Sequence, residues 1–460
     1  MKLKIYSPYD RKIIGEVKLN TWPQIDKMLT NAQSLFNNRE GWLSKKNRLK
    51  ILNKFGALLE KEKESRARQI SLEGGKPLID ARIEAGRAVE GVRIAIAQLE
   101  LEIIEEIPMN ISPASMNRRA TATREPIGVV VALSAFNHPL NLIIHQVIPA
   151  IAVGCPVIVK PASSTPFSCI RVVELLKKAG LPDGWCQMVI CDNKNSEKLA
   201  TDPRVNFLSF IGSARVGWHL RSKLAPGTRY ALEHGGVAPV IVEKDADIEK
   251  AIPLLVKGAF YHAGQVCVSV KRIFAHESIA KKVAAKLADA AEKMTVGDPL
   301  SESTAIGPLI NPAEVDRVAA WVDEAIKDGA KCLCGGKNLS RTTYAPTVLF
   351  NPPETAKVST QETFGPVVCV YSYKNIKEAI ARANSLLYAF QASVFTRNKK
   401  TANDIAEKLD ATAVMINDHT AFRVDWMPFG GRRQSGLGLG GIGYTMHDMT
   451  QLKMVVVNEN

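Results

Sequence analysis

Residues 127–236 alternate between two textures, and few folds accommodate that alternation. Four short, Val-rich apolar stretches occur: IGVVVALSAF (127–136), CPVIVKPA (155–162), WCQMVIC (185–191) and VNFLSFIGS (205–213). Helical patterns separate them: PLNLIIHQVIPAIAVG, TPFSCIRVVELLKKAGLP and NSEKLATDP. A strand apolar at consecutive positions is covered on both faces. Strands that alternate with helices are joined by crossovers into a parallel sheet. The pattern restarts after 236 with APVIVEKDADIEKAIPLLVKGAFYHAGQVC and continues to about 420. The expected fold class is therefore α/β, with two doubly wound parallel-sheet units. A chain of 460 residues is long enough for two or three domains.

The flanks differ. Residues 22–70 read as two amphipathic helices, and 73–103 continue a long helical pattern. The run MVVV (454–457) near the end reads as a strand that must pair with something, and another subunit's sheet edge is a good candidate.

Bulk properties exclude several function classes. The formal charge of +14 is compatible with anionic partners. Its basic residues are scattered, however, and no nucleic-acid motif gathers them, so no nucleic-acid partner is expected. The amino terminus is polar and charged, unlike a signal peptide. The most apolar stretch, 142–159, is interrupted by His, Gln, two Pro and a Gly, a poor membrane span. The eight cysteines form no paired CxxC pattern, so no metal is expected, and reduced thiols in a cytoplasmic protein are the default.

Several segments carry chemistry-bearing residues. Cys267 follows a Gly-Gln pair in YHAGQVCVSV, where small neighbours allow a turn that presents a nucleophile. Glu233, before the Gly-Gly of EHGGVAP, is placed to act as a general base from a strand end. Asn137, in ALSAFNHPLN, stands where a carboxamide and helix N–H groups can stabilise an oxyanion. Lys160 ends a strand, where open α/β sheets bind ligands. The Gly212–Ser213 turn of SFIGSARVG suits a diphosphate. QETFGPV (361–367) and PFGGRRQSGLG (428–438) are turn-rich cleft candidates. Taken singly, each segment is equally compatible with a core thiol, an exposed turn acid or a capping amide.

In their order and spacing, these motifs resemble the aldehyde dehydrogenase superfamily over essentially the whole chain. FNHP resembles the family's Asn-Pro element, and Lys160–Pro161 its strand end. Gly212, Ser213 and Gly217 match its Gly-Ser turn, and EHGG its ELGG. GQVC ends at the thiol, and Glu362, Phe364, Gly365 and Pro366 form the acidic-Phe-Gly-Pro box. The resemblance implies that a Cys267 thiolate attacks an aldehyde and that Asn137 and the Cys267 N–H hold the oxyanion. Hydride transfer would leave a thioester, and Glu233 would activate the water that releases the acid. It further implies that Lys160 and Glu362 hold the ribose hydroxyls of NAD or NADP, that Ser213 touches the diphosphate, and that Phe364 packs by the nicotinamide ribose. Ser163 stands where members preferring NAD often carry an acid, which leaves NADP open beside NAD.

The implied division is a Rossmann-like cofactor domain (1–107 and 128–236), a catalytic domain (237–440) and a small β oligomerisation element (108–127 and 441–460), with a homodimer or homotetramer as the assembly. His234 replaces the usual Leu, and His262 stands where Asn is common. NDHTAFRVDWMPFGG resembles the branch acting on small polar aldehydes such as lactaldehyde, glyceraldehyde 3-phosphate and phosphonoacetaldehyde. Arg423 is the expected clamp for an anionic group, with His138 as a second polar contact. The alternatives are a CoA-acylating semialdehyde dehydrogenase, against which Glu233 argues, and a non-catalytic binding protein on the same scaffold.

Overall fold

A computed structural model describes residues 2–101 and 104–459. Its centre is a six-stranded sheet. In spatial order the strands are Gly436–Leu437, Arg229–Glu233, Phe207–Ile211, Val130–Leu133, Val157–Lys160 and Cys186–Met188. The last five are parallel, and Gly436–Leu437 runs antiparallel on Arg229–Glu233. The chain enters at Val130–Leu133, moves outward on one side, then returns to build the other. That reversal leaves a crevice at the carboxyl ends of the central strands.

The apolar runs follow from burial on both faces. Val130, Ala132, Val157 and Val159 pack with Ile144, Val147 and Leu176 on one side. Val131, Leu133, Ile158 and Leu208 pack with Leu29 and Leu199 on the other. The helices between these strands span Asn141–Val153, Phe167–Ala179 and Asn193–Ala200, as the sequence pattern predicts.

The second sheet has seven strands: Lys331–Cys334, Thr347–Phe350, Val367–Tyr373, Val270–His276, Ala238–Val242, Gln391–Phe395 and Ala413–Ile416. All are parallel except the edge strand Lys331–Cys334. The α/β class with two parallel sheets is thus the observed one.

The flanks depart from expectation in detail. The region read as two helices holds three, Trp22–Asn37, Lys45–Lys61 and Lys63–Gly74, preceded by a hairpin of Lys2–Tyr6 and Ile13–Lys18. The long helix is Leu78–Glu100, and the predicted continuation at 102–103 lies outside the described residues. Two buried acids tie these helices to the central sheet. Glu73 accepts the N–H groups of Phe167 and Ser168, and Glu84 those of Leu140 and Asn141. Each carboxylate thereby satisfies the open amides at a helix start.

The carboxyl-terminal strand, Thr450–Asn458, pairs antiparallel with Arg118–Pro126 of its own chain, and Glu105–Ile107 lies beyond. One edge is therefore filled within the chain rather than by a neighbour, and the other stays open. Among the described residues no helix is long and apolar enough to cross a membrane.

Candidate active site

The carboxyl ends of the six-stranded sheet face the amino ends of the central strands of the seven-stranded one. Between them lies a cavity of about 750 Å³. Asn137, His138, Lys160, Gly212, Ser213, Glu233, Cys267, Glu362, Phe364 and Arg423 all line it. Ser163 does not; it is exposed beyond the end of Val157–Lys160.

Cys267 sits just before the strand Val270–His276, after a tight turn at Tyr261–Gly264. All eight cysteines are free. Acidity does not distinguish the candidate nucleophile. Burial pushes its thiol well above the ordinary range, the Glu233 and Glu362 carboxylates push the same way, and Arg423 opposes them. Cys369, packed in the core, is raised to about 12, also by burial. What distinguishes Cys267 is its position, because it faces the cavity.

Glu233 ends Arg229–Glu233, and burial raises its pKa, with Arg423 pulling it back. Asn137 Nδ2 donates to Gln265 O at 3.0 Å, which orients the carboxamide and leaves its second N–H free. Gln265 is itself anchored: Ile310 N donates to its Oε1 at 3.0 Å, and its Nε2 donates to Pro308 O at 3.2 Å.

The cofactor candidates share one trait, an incomplete set of partners. Glu362 is half-buried, its pKa is raised to about 7 by desolvation, and its buried Oε1 has no hydrogen-bond partner among the described residues. Its carboxylate lies over Gly235, where a Cβ would stand 1.9 Å from Oε1, so a side chain there would displace it. Lys160 Nζ reaches only Pro161 O at 3.4 Å, and burial lowers its pKa. Phe364 packs edge-on against Phe136 at 5.7 Å. His234 is a packed residue rather than a base. Its Nδ1–H donates to Gln434 O at 2.9 Å, and its ring stands between Trp218 and Phe210. His262 is fully buried behind the thiol turn.

Arg423 belongs to a network that the sequence does not announce. Arg87, on the helix Leu78–Glu100, makes a two-pronged ion pair with Asp425 at 3.0 and 2.6 Å. His145 Nε2 lies 2.7 Å from the same carboxylate, and Arg423 Nη2 lies 3.5 Å from His145 Nδ1. Burial and the neighbouring guanidiniums pull His145 down to about 4, so it is neutral. It therefore donates through Nε2 and accepts through Nδ1. Arg423 also stacks on Phe429 at 3.5 Å. Arg87 lines the cavity and was missed from sequence, because its partner lies 338 residues away and no local motif marks it.

A half-buried thiol, a half-buried acid and an oriented amide share one cavity with a crevice of half-partnered polar groups, an arrangement suited to a dehydrogenase. The family model for the aldehyde dehydrogenase family matches residues 1–455, and the chain belongs to that family, whose members oxidise aldehydes with NAD or NADP. It is 37% identical over 458 residues to 3-sulfolactaldehyde dehydrogenase of Priestia aryabhattai, covering 99% of this chain and 95% of that one. Aldehyde dehydrogenase 21 of Physcomitrella patens, solved with the reaction product succinate, superposes with a TM-score of 0.96 at 33% identity, over 100% of this chain and 95% of that one. Glyceraldehyde-3-phosphate dehydrogenase GapN of Methanocaldococcus jannaschii, complexed with NADP, gives 0.94 at 33% identity, over 99% of each chain.

Proposed function

We propose that this enzyme oxidises a small anionic aldehyde to its carboxylic acid through a covalent adduct on Cys267. One observation carries the reading: thiol, carboxylate and carboxamide line the same cavity as the guanidinium groups of Arg87 and Arg423. Planar guanidiniums match sulfonate, phosphate and carboxylate geometry. The relatives named above act on, or were solved with, compounds bearing such groups. His138, buried in the same cavity wall, is a further polar contact for the aldehyde's substituents.

In this reading the Cys267 thiolate adds to the carbonyl carbon. The developing oxyanion is met by the free N–H of Asn137 and the main-chain N–H of Cys267. The orphaned Glu362 oxygen and the under-used Lys160 ammonium fit ribose hydroxyls, and Gly212 and Ser213 would receive the diphosphate of NAD or NADP. When bound, the cofactor supplies the hydride acceptor. Glu233, its carboxyl shifted toward neutrality, takes a proton from the water that hydrolyses the Cys267 thioester. A water-activating acid facing the thiol favours hydrolysis over acyl transfer to CoA, and also over a non-catalytic role.

In this reading residues 1–107 and 128–236 hold the cofactor, 237–440 carry the nucleophile, and 108–127 with 441–460 form the oligomerisation element, a division crossed by Gly436–Leu437, which joins the six-stranded sheet, and by Glu105–Ile107, which joins the small one. Leu452, Met454, Val455, Val456 and Val457 are 43–58% exposed on an open edge strand, which suits a second copy.

The test is cofactor reduction at 340 nm, with NAD and NADP offered separately. Aldehydes bearing sulfonate, phosphate or carboxylate are compared with a neutral one of equal length. The anionic aldehydes are expected to win, and Arg423→Ala to lower their kcat/KM by about 100-fold while sparing the neutral one. A neutral preference in the parent enzyme overturns the anionic assignment.

A further inference from the structure

The seven-stranded sheet holds a buried cation that the chemistry above does not use. Lys271, second residue of the strand Val270–His276, is 2% exposed. Among the described residues no carboxylate lies within ion-pair distance of its ammonium. Nζ donates instead to two main-chain carbonyls, Gly264 O at 3.1 Å and Gly365 O at 2.8 Å.

Those carbonyls belong to the two loops that carry the site. Gly264 lies three residues before Cys267, and Gly365 three residues after Glu362. Both loops are wound through the left-handed region: φ is 49° at His262, 53° at Ala263, 69° at Gly264 and 43° at Phe364. Non-glycine residues persist there only where neighbours enforce the conformation. The loops also touch, since a Cβ on Gly264 would stand 2.1 Å from Gly365 O. Two carbonyl oxygens converging in a dry site repel unless a donor lies between them, and the ammonium is that donor. Arg317 Nη2 holds the outer side of the second loop through Thr363 O at 2.7 Å.

We propose that Lys271 is a positioning residue that latches the nucleophile loop to the Glu362–Phe364 loop, so that a cofactor seated on the second fixes the thiol on the first. The inference rests on reading Glu362 and Phe364 as cofactor contacts. It makes Lys271 the mechanical link between the cofactor-contacting loop and the nucleophile-bearing loop, both within residues 237–440.

The test uses the full chain with Lys271→Met and Lys271→Gln, each checked by thermal melting. Iodoacetamide labelling of Cys267 is followed by mass spectrometry with and without NADP and with and without NAD, alongside cofactor KM and kcat. In the parent protein the bound cofactor is expected to change the labelling rate by about threefold or more. In Lys271→Met that response is expected to vanish and the cofactor KM to rise about tenfold. Lys271→Gln, which keeps an N–H donor, falls between; if Lys271→Met does not fold, Lys271→Gln is judged by the same two readouts. A labelling response and a cofactor KM that match the parent's in the folded variants overturn the latch. Labelling needs no aldehyde, so the two readings fail separately. Cofactor binding without any labelling response in the parent sinks the latch, whereas no cofactor binding by titration calorimetry sinks the cofactor reading beneath it.

Discussion

The two walls of the cavity follow opposite electrostatic plans. On the wall made by the helix Leu78–Glu100 and the segment 417–431, most charges are already engaged: Arg87 with Asp425, Asp425 with His145, His145 with Arg423, and Arg423 with the Phe429 ring, while Arg423 Nε has no partner among the described residues. On the wall made by the strand ends and the 361–366 loop, partners are missing. Among the described residues Glu362 Oε1 and His234 Nε2 have none, and Lys160 has one weak contact. An unsatisfied buried polar atom costs about 1–3 kcal/mol, so it persists where a ligand completes it. A largely pre-paired wall instead holds its charges in fixed places and selects among ligands, with Arg423 Nε left open to meet one. The contrast teaches which wall binds by completion and which by discrimination.

Four measurements break or sharpen that contrast. Cys267→Ala stands between the walls and is expected to cut turnover by about 10⁴-fold or more while cofactor titration stays at the parent affinity. A loss of cofactor affinity as well would show that the walls are not separable. On the paired wall, Asp425→Asn leaves Arg87 without its anion and is expected to lower stability by about 3 kcal/mol, read as a urea midpoint.

On the unpaired wall, Glu362 has its folded pKa raised to about 7 from 4.5. The folded state therefore keeps a proton that the unfolded state has lost. Stability should fall as pH rises from 4.5 to 7, with a slope of up to about 1.4 kcal/mol per unit. Glu362→Gln should remove this part of the slope in melts across that window; an unchanged profile would mean that the group already has a partner in solution. The smallest effect concerns the thiol. Because the Glu233 charge adds to the burial that raises its pKa, Glu233→Gln should shift the midpoint of Cys267 alkylation to lower pH. A shift in the opposite sense would show that Glu233 is protonated and donating to the sulfur.

Sequence alone carried the parts of this molecule whose physics is local. The strands Val130–Leu133 and Val157–Lys160 are legible because burial on both faces forces consecutive apolar residues. The thiol, the acid and the amide are legible because each sits in a turn whose small residues and prolines the chain must spell out. Arg87 reads as one more cation on an amphipathic helix, and Asp425 as one more loop acid, until the fold joins them across 338 positions. Lys271 is similarly silent: within VSVKRIF nothing says that its end reaches Gly365, 94 residues on. The three helices of the first 74 residues read as two because a single half-buried residue, Glu62, separates Lys45–Lys61 from Lys63–Gly74, too short a break to interrupt the amphipathic pattern.

The acids at 73 and 84 also bear on how the chain is made. Synthesis from the amino end delivers Glu84 56 residues before Leu140 and Glu73 94 residues before Phe167, the amides they will receive. Until those residues emerge, the early helices carry two acids meant for a dry interior, Glu84 with Lys76 as its partner and Glu73 still short of the amides it will receive. A shortened chain beginning at the central sheet would meet the same mismatch from the other side, with two helix starts and no acceptor. The first hundred residues and the sheet that follows them thus form one folding unit, indivisible by cutting the gene between them.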